Sequence, residues 1–546
     1  MIKLVQKKNR CLLIHPKFSP YSFWNFVEVS KIVGAKYQAA PLGLMTVAAL
    51  LPPEWEIKLI DTNVEPLLDE HFEWANLVFT GGMLPQQIGI QEIISLSHKH
   101  NRPVVVGGPD PTSQPDLYQA ADFLVLGEGE ITIPMFLNDL ANGVKNHEYI
   151  SSDFADMTKA VVPRYDLINF NNYIHLNIQF TRGCPFYCEF CDIIELYGRK
   201  PRSKISEQMI KELQALYDLG YRGHVDIVDD NFIGNKKRVK ETLREIKLWS
   251  EKNNYPFYFG TEASINLADD DELLQLMRDV DFRLVFTGLE TPEDDVLEKA
   301  NKKTNMNRSI VEATKKISSY GMVVNAGFII GFDNENGQTA RRMNAFIQDT
   351  GICVAMLGLL YALPNTKLTK RLQLEGRLFE KFSIFTDNQT QIDQASSGLN
   401  FITMRPRTDI LRDFVEVLSY IYDPEHYYER IIRTCLNLKV TNKHKHNFKN
   451  TIKNLRSFSR IVRQVGFNGT TGKLFWKMFF TVLLKNPKAI EWGVSLSAMF
   501  IHFYNHSNFI IDLTNEQIED IKIYGEDMYN QNRLNMTEVK VANYSK

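Results

Sequence analysis

A chain of 546 residues is too long for one ordinary core, so roughly two to four domains are expected. With 44% hydrophobic and 23% charged residues the composition is that of a globular protein in water, and a net charge of −2 gives no reason to expect a nucleic-acid partner. The N-terminal residues lack a long apolar run with a small-residue cleavage site, and no stretch of about 18 uncharged apolar residues occurs, so neither a signal peptide nor a membrane span is expected. Reduced cysteines fit a cytoplasmic location. No internal repeat and no low-complexity tract interrupts the chain.

Over residues 8–145 strands and helices alternate. Residues 11–15 (CLLIH), closed by Pro16, read as a buried strand, and residues 41–51 as a helix with a proline near its start. Further strands are predicted at 56–61, 75–80, 103–106 and 123–126, with helices at 87–100 and after 130. Such alternation implies a doubly wound parallel α/β sheet, whose ligands sit at the carboxyl ends of the strands. Gly81, Gly82, Gly107, Gly108 and Gly127, followed by Glu128, fall at those ends. Glycine lets backbone approach a large planar ligand or a phosphate tail, although any one of them is as readily a turn residue. No G-x-G-x-x-G follows the first strand, which argues against a nicotinamide dinucleotide.

Residues 181–194 read TRGCPFYCEFCDII, and hold three of the six cysteines as C-x3-C-x2-C: Cys184, Cys188 and Cys191. A disulfide framework would spread its cysteines through a small secreted domain, and zinc usually takes four ligands. Three thiolates on one short loop suit a [4Fe–4S] cluster with its fourth iron open. A chance cluster of core cysteines is the bland alternative, but Gly183 and Pro185 break regular structure where a ligand loop needs it. Cys11, Cys353 and Cys435 are scattered and read as ordinary buried thiols.

The region 170–375 continues with strands predicted at 177–181, 225–230, 258–263, 284–290, 324–332 and 356–363. Helices are predicted at 236–253, 270–280, 292–300, 309–320 and 337–350. Six strand–helix units are fewer than the eight of a full barrel, and in parallel barrels chemistry lies at the strands' carboxyl ends. Asp229, Asp230 and Asn231, Glu262 and Ser264, Glu290, and the run from Gly327 to Gly331 occupy those ends. A rim salt bridge or helix cap competes for each one singly; packing alone accounts poorly for the whole set.

With Phe190 before the last cysteine, the cysteine loop resembles the signature of the radical S-adenosylmethionine (SAM) superfamily. The resemblance implies a partial (β/α)6 barrel and a cluster held by Cys184, Cys188 and Cys191. SAM would be chelated by the open iron and cleaved to a 5′-deoxyadenosyl radical, with the electron coming from a flavodoxin- or ferredoxin-like donor. It also implies SAM contacts at Phe190, at Asp229 and Asp230 near the amino group, at Glu262 and Ser264 near the ribose and carboxylate, and at Gly327 and Gly331 on the adenine side. The segment PLGLMTVAALL, the strand-end glycines and LGEGE resemble the cobalamin-binding domain of B12-dependent radical SAM proteins. That places a corrinoid at Gly81, Gly82, Gly107, Gly108, Gly127 and Glu128. The D-x-H-x-x-G motif is missing, since residues 69–74 (DEHFEW) lack the glycine, so cobalamin is expected without a protein histidine on cobalt. A domain that kept the fold and lost the ligand is the alternative. DDNFIGN, FGTEASINLA, GFIIGFD and ALPNTKL followed by EGRL resemble one branch of these proteins, which carries a C-terminal extension and includes hopanoid C-2 methylases.

In the extension, 376–546, helices are predicted at 409–422, 451–465 and 473–484, and the tail after Thr514 is polar with mobile last residues. Residues 431–490 hold 13 Lys or Arg and no Asp or Glu, which leaves −15 on the remainder. Aromatics are interleaved: Phe448, Phe458, Phe467, Phe475, Trp476, Phe479 and Phe480. Such a surface suits an anionic membrane on its inner face, or RNA, or is an ordinary helical cap. The leading functional reading is radical SAM, cobalamin-dependent methylation of an unactivated carbon in a small molecule or lipid. Ring formation, ring contraction or oxidation on the same cofactors is the second. A non-catalytic corrinoid- or membrane-associated binding protein is a third, which the intact cysteine triad opposes. Without further clustered cysteines, a methylthiotransferase has no second cluster site.

Overall fold

The computed structural model describes residues 9–19, 22, 25–381, 397–441, 443–444 and 448–535, excluding the side chains of 448–454. Its strands are β1 (Arg10–His15), β2 (Tyr37–Ala39), β3 (Glu56–Asp61), β4 (Leu77–Gly81), β5 (Val104–Gly107), β6 (Phe123–Val125), β7 (Glu148–Tyr149), β8 (Tyr173–Ile178), β9 (Thr181–Arg182), β10 (Arg202–Ser203), β11 (Gly223–Ile227), β12 (Phe257–Glu262), β13 (Phe282–Glu290), β14 (Val323–Ile330) and β15 (Ala355–Leu359).

The first sheet is parallel, in the order β3-β1-β4-β5-β6-β7. β1 is apolar and buried from Cys11 to Ile14 because both faces of the sheet are covered. Cys11 and Leu13 point into the large core of the molecule, and Leu12 and Ile14 into a second, smaller one. β1 pairs with β3 on one side and β4 on the other, so the strand order reverses there. The carboxyl ends of β1 and β4 therefore flank the crevice where doubly wound sheets bind ligands.

The second sheet is parallel and ordered β15-β14-β13-β12-β11-β8-β2. Six of its strands are the six predicted units of a partial barrel. The seventh, β2, pairs Tyr37 with Tyr173 and Ala39 with His175. Its three residues, YQA, carry no apolar run, and their strand geometry comes from the β8 edge. The N-terminal segment thus contributes to both sheets.

The C-terminal region is helical: Arg407–Ile421, Pro424–Asn437, Phe448–Ile461, Gly472–Lys485, Ile490–Tyr524 and Glu526–Leu534. The 35-residue helix Ile490–Tyr524 runs through Thr514, with Phe503, Ile510, Ile518 and Ile521 buried. The polar stretch after Thr514 is helical as far as Leu534, in two helices that meet at Gly525. The residues expected to be mobile, 536–546, lie outside the described residues. Among the described residues no helix is long and apolar enough to cross a membrane.

Candidate active site

The cysteine loop is built by its neighbours. Asp229, just past β11, accepts the Phe180 and Thr181 N–H groups at 2.7 and 2.9 Å and the Thr181 hydroxyl at 2.8 Å. Burial raises its carboxyl to about 7 against the lowering by these bonds. Both oxygens are engaged by the loop, so the expected role of Asp229 in holding SAM becomes one of shaping the cysteine loop. Asp230 accepts the Gly183 N–H at 3.0 Å with one oxygen, and burial lifts it to about 6. Gly183 has φ +86°, and a Cβ there would lie 2.8 Å from the Gly198 oxygen and 2.9 Å from the Tyr197 oxygen, so only glycine fits. Farther along, the Glu189 N–H donates to the Ala300 carbonyl at 3.0 Å, and the Glu189 carbonyl accepts the Leu368 N–H at 3.0 Å.

Cys188 is buried, and Cys184 and Cys191 are half-buried. Burial pushes all three thiols up, so iron binding must displace protons. Lys302 lies close enough for its charge to act on all three sulfurs. Burial works against its ammonium, but Glu290, whose Oε1 is 2.8 Å from Nζ, and the Cys188 sulfur outweigh it and raise the lysine. Glu290 holds this position from a left-handed backbone, φ +62°, at the end of β13. Among the described residues no three His, Cys, Asp or Glu side chains converge on a single ion. A cubane places each thiolate on a different iron, so convergence of that kind is not required. Three thiols on one anchored loop beside a buried cation fit the cluster.

The strand ends next to the loop fit SAM. Asn231 Oδ1 accepts the N–H and hydroxyl of Ser264 at 3.2 and 3.3 Å. Ser264 Oγ also donates to Asn266 Oδ1 at 2.7 Å. Among the described residues Glu262 makes no ion pair. Burial first, then Asp226, Asp230 and Asp229, push its carboxyl up to about 8. A half-buried carboxyl beside three others is stabilised by a hydroxyl donor or a positive charge, and SAM carries both. Phe190 meets Phe332 edge-on at 5.8 Å, and the two line a cavity of about 350 Å³ with Val296, Ala300, Leu360 and Leu368. The Gly331 N–H next to it is taken by Glu335 Oε2 at 2.8 Å, and Gly327 faces the Phe286 ring. Backbone N–H contact from Gly331 to the adenine is therefore not open in this conformation.

In the first sheet most of the strand-end glycines serve close backbone approach. A Cβ on Gly81 would stand 2.1 Å from the Gly107 oxygen, one on Gly107 2.6 Å from the Val125 oxygen, and one on Gly108 2.9 Å from the Gly82 nitrogen. A Cβ on Gly82 would meet the Gln86 side chain. Gly127, by contrast, faces open space, with nothing within 4 Å of an added Cβ.

Glu128 is not a free ligand group. Its side chain is 2% exposed and takes Arg202 at 2.6 and 3.0 Å and Arg182 at 2.9 Å. Glu130 binds Arg182 at 2.6 and 2.8 Å. The antiparallel β9–β10 pair sets Arg182 opposite Arg202, and so presents both to LGEGE. Arg182 precedes Cys184 by two residues, so this network clamps the first sheet domain to the cysteine loop. Arg182, Arg202, Glu130 and Lys302 were not foreseen. Arg182 flanks the cysteine motif and Glu130 ends LGEGE, which are signals; nothing marks Arg202 and Lys302. A row of groups along the barrel wall, the buried His175 and the half-buried His224 and Tyr258, was also unforeseen. His224 stacks on Tyr258 at 5.0 Å, and burial holds both imidazoles neutral.

Three family models match the chain: a B12 binding domain over residues 32–137, the radical SAM superfamily over 178–347, and a domain of unknown function (DUF4070) over 366–515. The chain is 42% identical over 514 residues to an uncharacterized methyltransferase of Synechocystis sp., covering 94% of each chain. It is 33% identical over 494 residues to the hopanoid C-2 methylase of Rhodopseudomonas palustris, covering 88% of this chain and 90% of that one. Its fold is similar to that of the cobalamin-dependent SAM radical enzyme OxsB, solved with aqua-cobalamin and SAM bound. The TM-score is 0.58 at 15% identity, over 99% of this chain and 85% of that one. With both family models matched and two relatives aligned over most of their length, the chain belongs to the B12-binding radical SAM methyltransferases, and its cofactors are a [4Fe–4S] cluster, SAM and cobalamin.

Proposed function

We propose that the protein methylates an unactivated carbon of a lipid of the hopanoid class. The lipid class is supported by the 33% identity to a hopanoid C-2 methylase, and methyl transfer by the clamp of Glu128 and Glu130 on Arg182 and Arg202, which ties the strand ends of the corrinoid domain to the loop that holds the cluster. When bound, cluster and SAM supply a radical that removes a substrate hydrogen, and cobalamin supplies the methyl group. The chain's own residues do the rest. Cys184, Cys188 and Cys191 hold the iron; Asp229 and Asp230 set the loop. Glu262 and Ser264 offer oxygens to the ribose and ammonium of SAM, and Phe190 and Phe332 provide an apolar wall that keeps water from the reacting centre. The electron comes from an external carrier protein. Anaerobically reconstituted protein, given SAM, cobalamin, reductant and a hopanoid-containing lipid extract, should add one methyl group to a lipid. A product altered by ring closure or oxidation would move the assignment to the second reading.

A lipid substrate favours peripheral contact with a membrane, and the helix Gly472–Lys485 supports it. Phe480, Leu483 and Leu484 are exposed on this helix, Leu484 at 83%, and Lys473, Lys477 and Lys485 stand exposed around them. Phe467, also exposed, packs on Trp476, which stacks on Phe480. The Phe448 side chain lies outside the described residues. The full chain should sediment with vesicles containing anionic lipid, and the pair Phe480→Ser and Leu484→Ser should weaken this at least about 10-fold, each buried CH₂ contributing about 0.8 kcal/mol. Undiminished sedimentation of that variant would contradict the contact.

A further inference from the structure

Three cationic segments converge on the exposed edge of the cysteine loop. Tyr187, directly before Cys188, is 40% exposed. The Arg199 guanidinium lies 4.3 Å from the centre of its ring, and the Lys367 ammonium lies over the same ring. Beside it, Pro185, Phe186, Tyr187, Asn301, Lys303 and Thr304 line a shallow cleft of about 270 Å³. Lys200 and Lys303 are exposed. Among the described residues none of Arg199, Lys200, Lys303 and Lys367 pairs with a carboxylate, whereas nearby Lys370 and Arg371 are taken by Glu195, Glu189 and Asp333. Two of these charges lie on the Tyr187 ring, Lys303 lines the cleft beside it and Lys200 follows Arg199 in the chain, all without a carboxylate partner, next to a cluster ligand.

We propose that this patch docks an acidic, low-potential electron carrier protein of the flavodoxin or ferredoxin class. The inference rests on the radical SAM reading, which needs an external electron. Its physical basis is charge complementarity at an exposed residue of the cluster loop, Tyr187, directly beside Cys188. Like charges gathered on one face steer an oppositely charged partner and raise its association rate about 10- to 1000-fold at low salt. In the docked pair one electron leaves the carrier, which is oxidised by one electron, and enters the oxidised cluster, which is reduced by one. No atom or proton is transferred. The Tyr187 ring and the cleft supply the apolar centre of the contact, and the four cations its rim.

The test compares two reductants on the full-length, cluster-loaded protein by anaerobic stopped-flow. One is reduced flavodoxin; the other is dithionite, which needs no protein docking. In the parent, the second-order rate of cluster reduction by flavodoxin should fall steeply between about 50 and 200 mM salt, as screening shortens the reach of the charges. Arg199→Glu with Lys303→Glu should slow that rate roughly 10-fold or more. Arg199→Gln with Lys303→Gln should slow it less. Iron content and reduction by dithionite should be unchanged in both. The docking site is overturned if flavodoxin reduces the charge-reversed protein at the parent rate. It is equally overturned if both reductants are slowed alike in both variants, for then the residues act on the cluster itself. The radical SAM reading fails separately, if the dithionite-reduced parent cleaves no SAM.

Discussion

Cys188→Ala is expected to give a folded protein that forms neither 5′-deoxyadenosine nor methylated product. The cluster depends on three thiolates, and Cys188 is the most deeply buried of them, 8% exposed. Alanine removes one ligand and supplies no substitute oxygen, so iron content and the low-temperature electron paramagnetic resonance of the reduced cluster should both be lost. The fold should survive. The loop is anchored by backbone bonds from Cys184 to Gly198, from Glu189 to Ala300 and from Leu368 to Glu189, none of which involves the sulfur. Circular dichroism close to that of the parent, with turnover at the uncatalysed level, is the predicted result. Turnover retained by a variant without iron would remove the radical from the account.

Cutting the clamp between the domains should have the second largest effect, and a different signature. Arg202→Met leaves Glu128, 2% exposed, with Arg182 alone, and Arg182 is already shared with Glu130. Breaking a buried pair from one side costs roughly 3–5 kcal/mol, because a charge is left in the interior without its partner. Part of that cost should appear as a lower unfolding temperature. The rest should appear as poor coupling: 5′-deoxyadenosine should still form, while methylated product per 5′-deoxyadenosine falls, since the methyl carrier is no longer held in register with the radical. The double variant Glu128→Gln, Arg202→Met removes both charges and should recover stability relative to Arg202→Met, as a double-mutant cycle would measure. Arg202→Met that lowers both products in proportion would mean that the clamp holds the fold and nothing more.

The chemistry of the cysteine loop is legible in sequence because ligand number and spacing are local properties. The same holds for β1, whose CLLIH run states its own burial, and for the six barrel strands with their helices. The strand β2 is not legible, because YQA becomes a strand only where the β8 edge offers it hydrogen bonds. The helix Ile490–Tyr524 escaped for a related reason: its apolar residues are mixed with His, Asn and Ser, and the packing of other helices decides which of them are buried. Site residues divide along the same line. That Asp229 and Glu128 stand at strand ends can be read from the chain. That Asp229 turns back to hold Phe180 and Thr181, and that Glu128 meets Arg182 and Arg202 across a domain boundary, are facts of tertiary direction. The glycines carry the same ambiguity. Gly81 and Gly107 are required by the approach of one strand end to the next, and Gly127 alone of the row combines a left-handed backbone with open space.

The most direct test is anaerobic turnover with methyl-deuterated SAM and a hopanoid-containing lipid extract, run on protein loaded with the cluster, with and without cobalamin. Cobalamin-loaded protein should place the deuterated methyl on a lipid carbon and release 5′-deoxyadenosine and S-adenosylhomocysteine in equal amounts. Protein without cobalamin should give no labelled lipid. Labelled lipid in the same yield without cobalamin, or a lipid product without the label, would contradict the account.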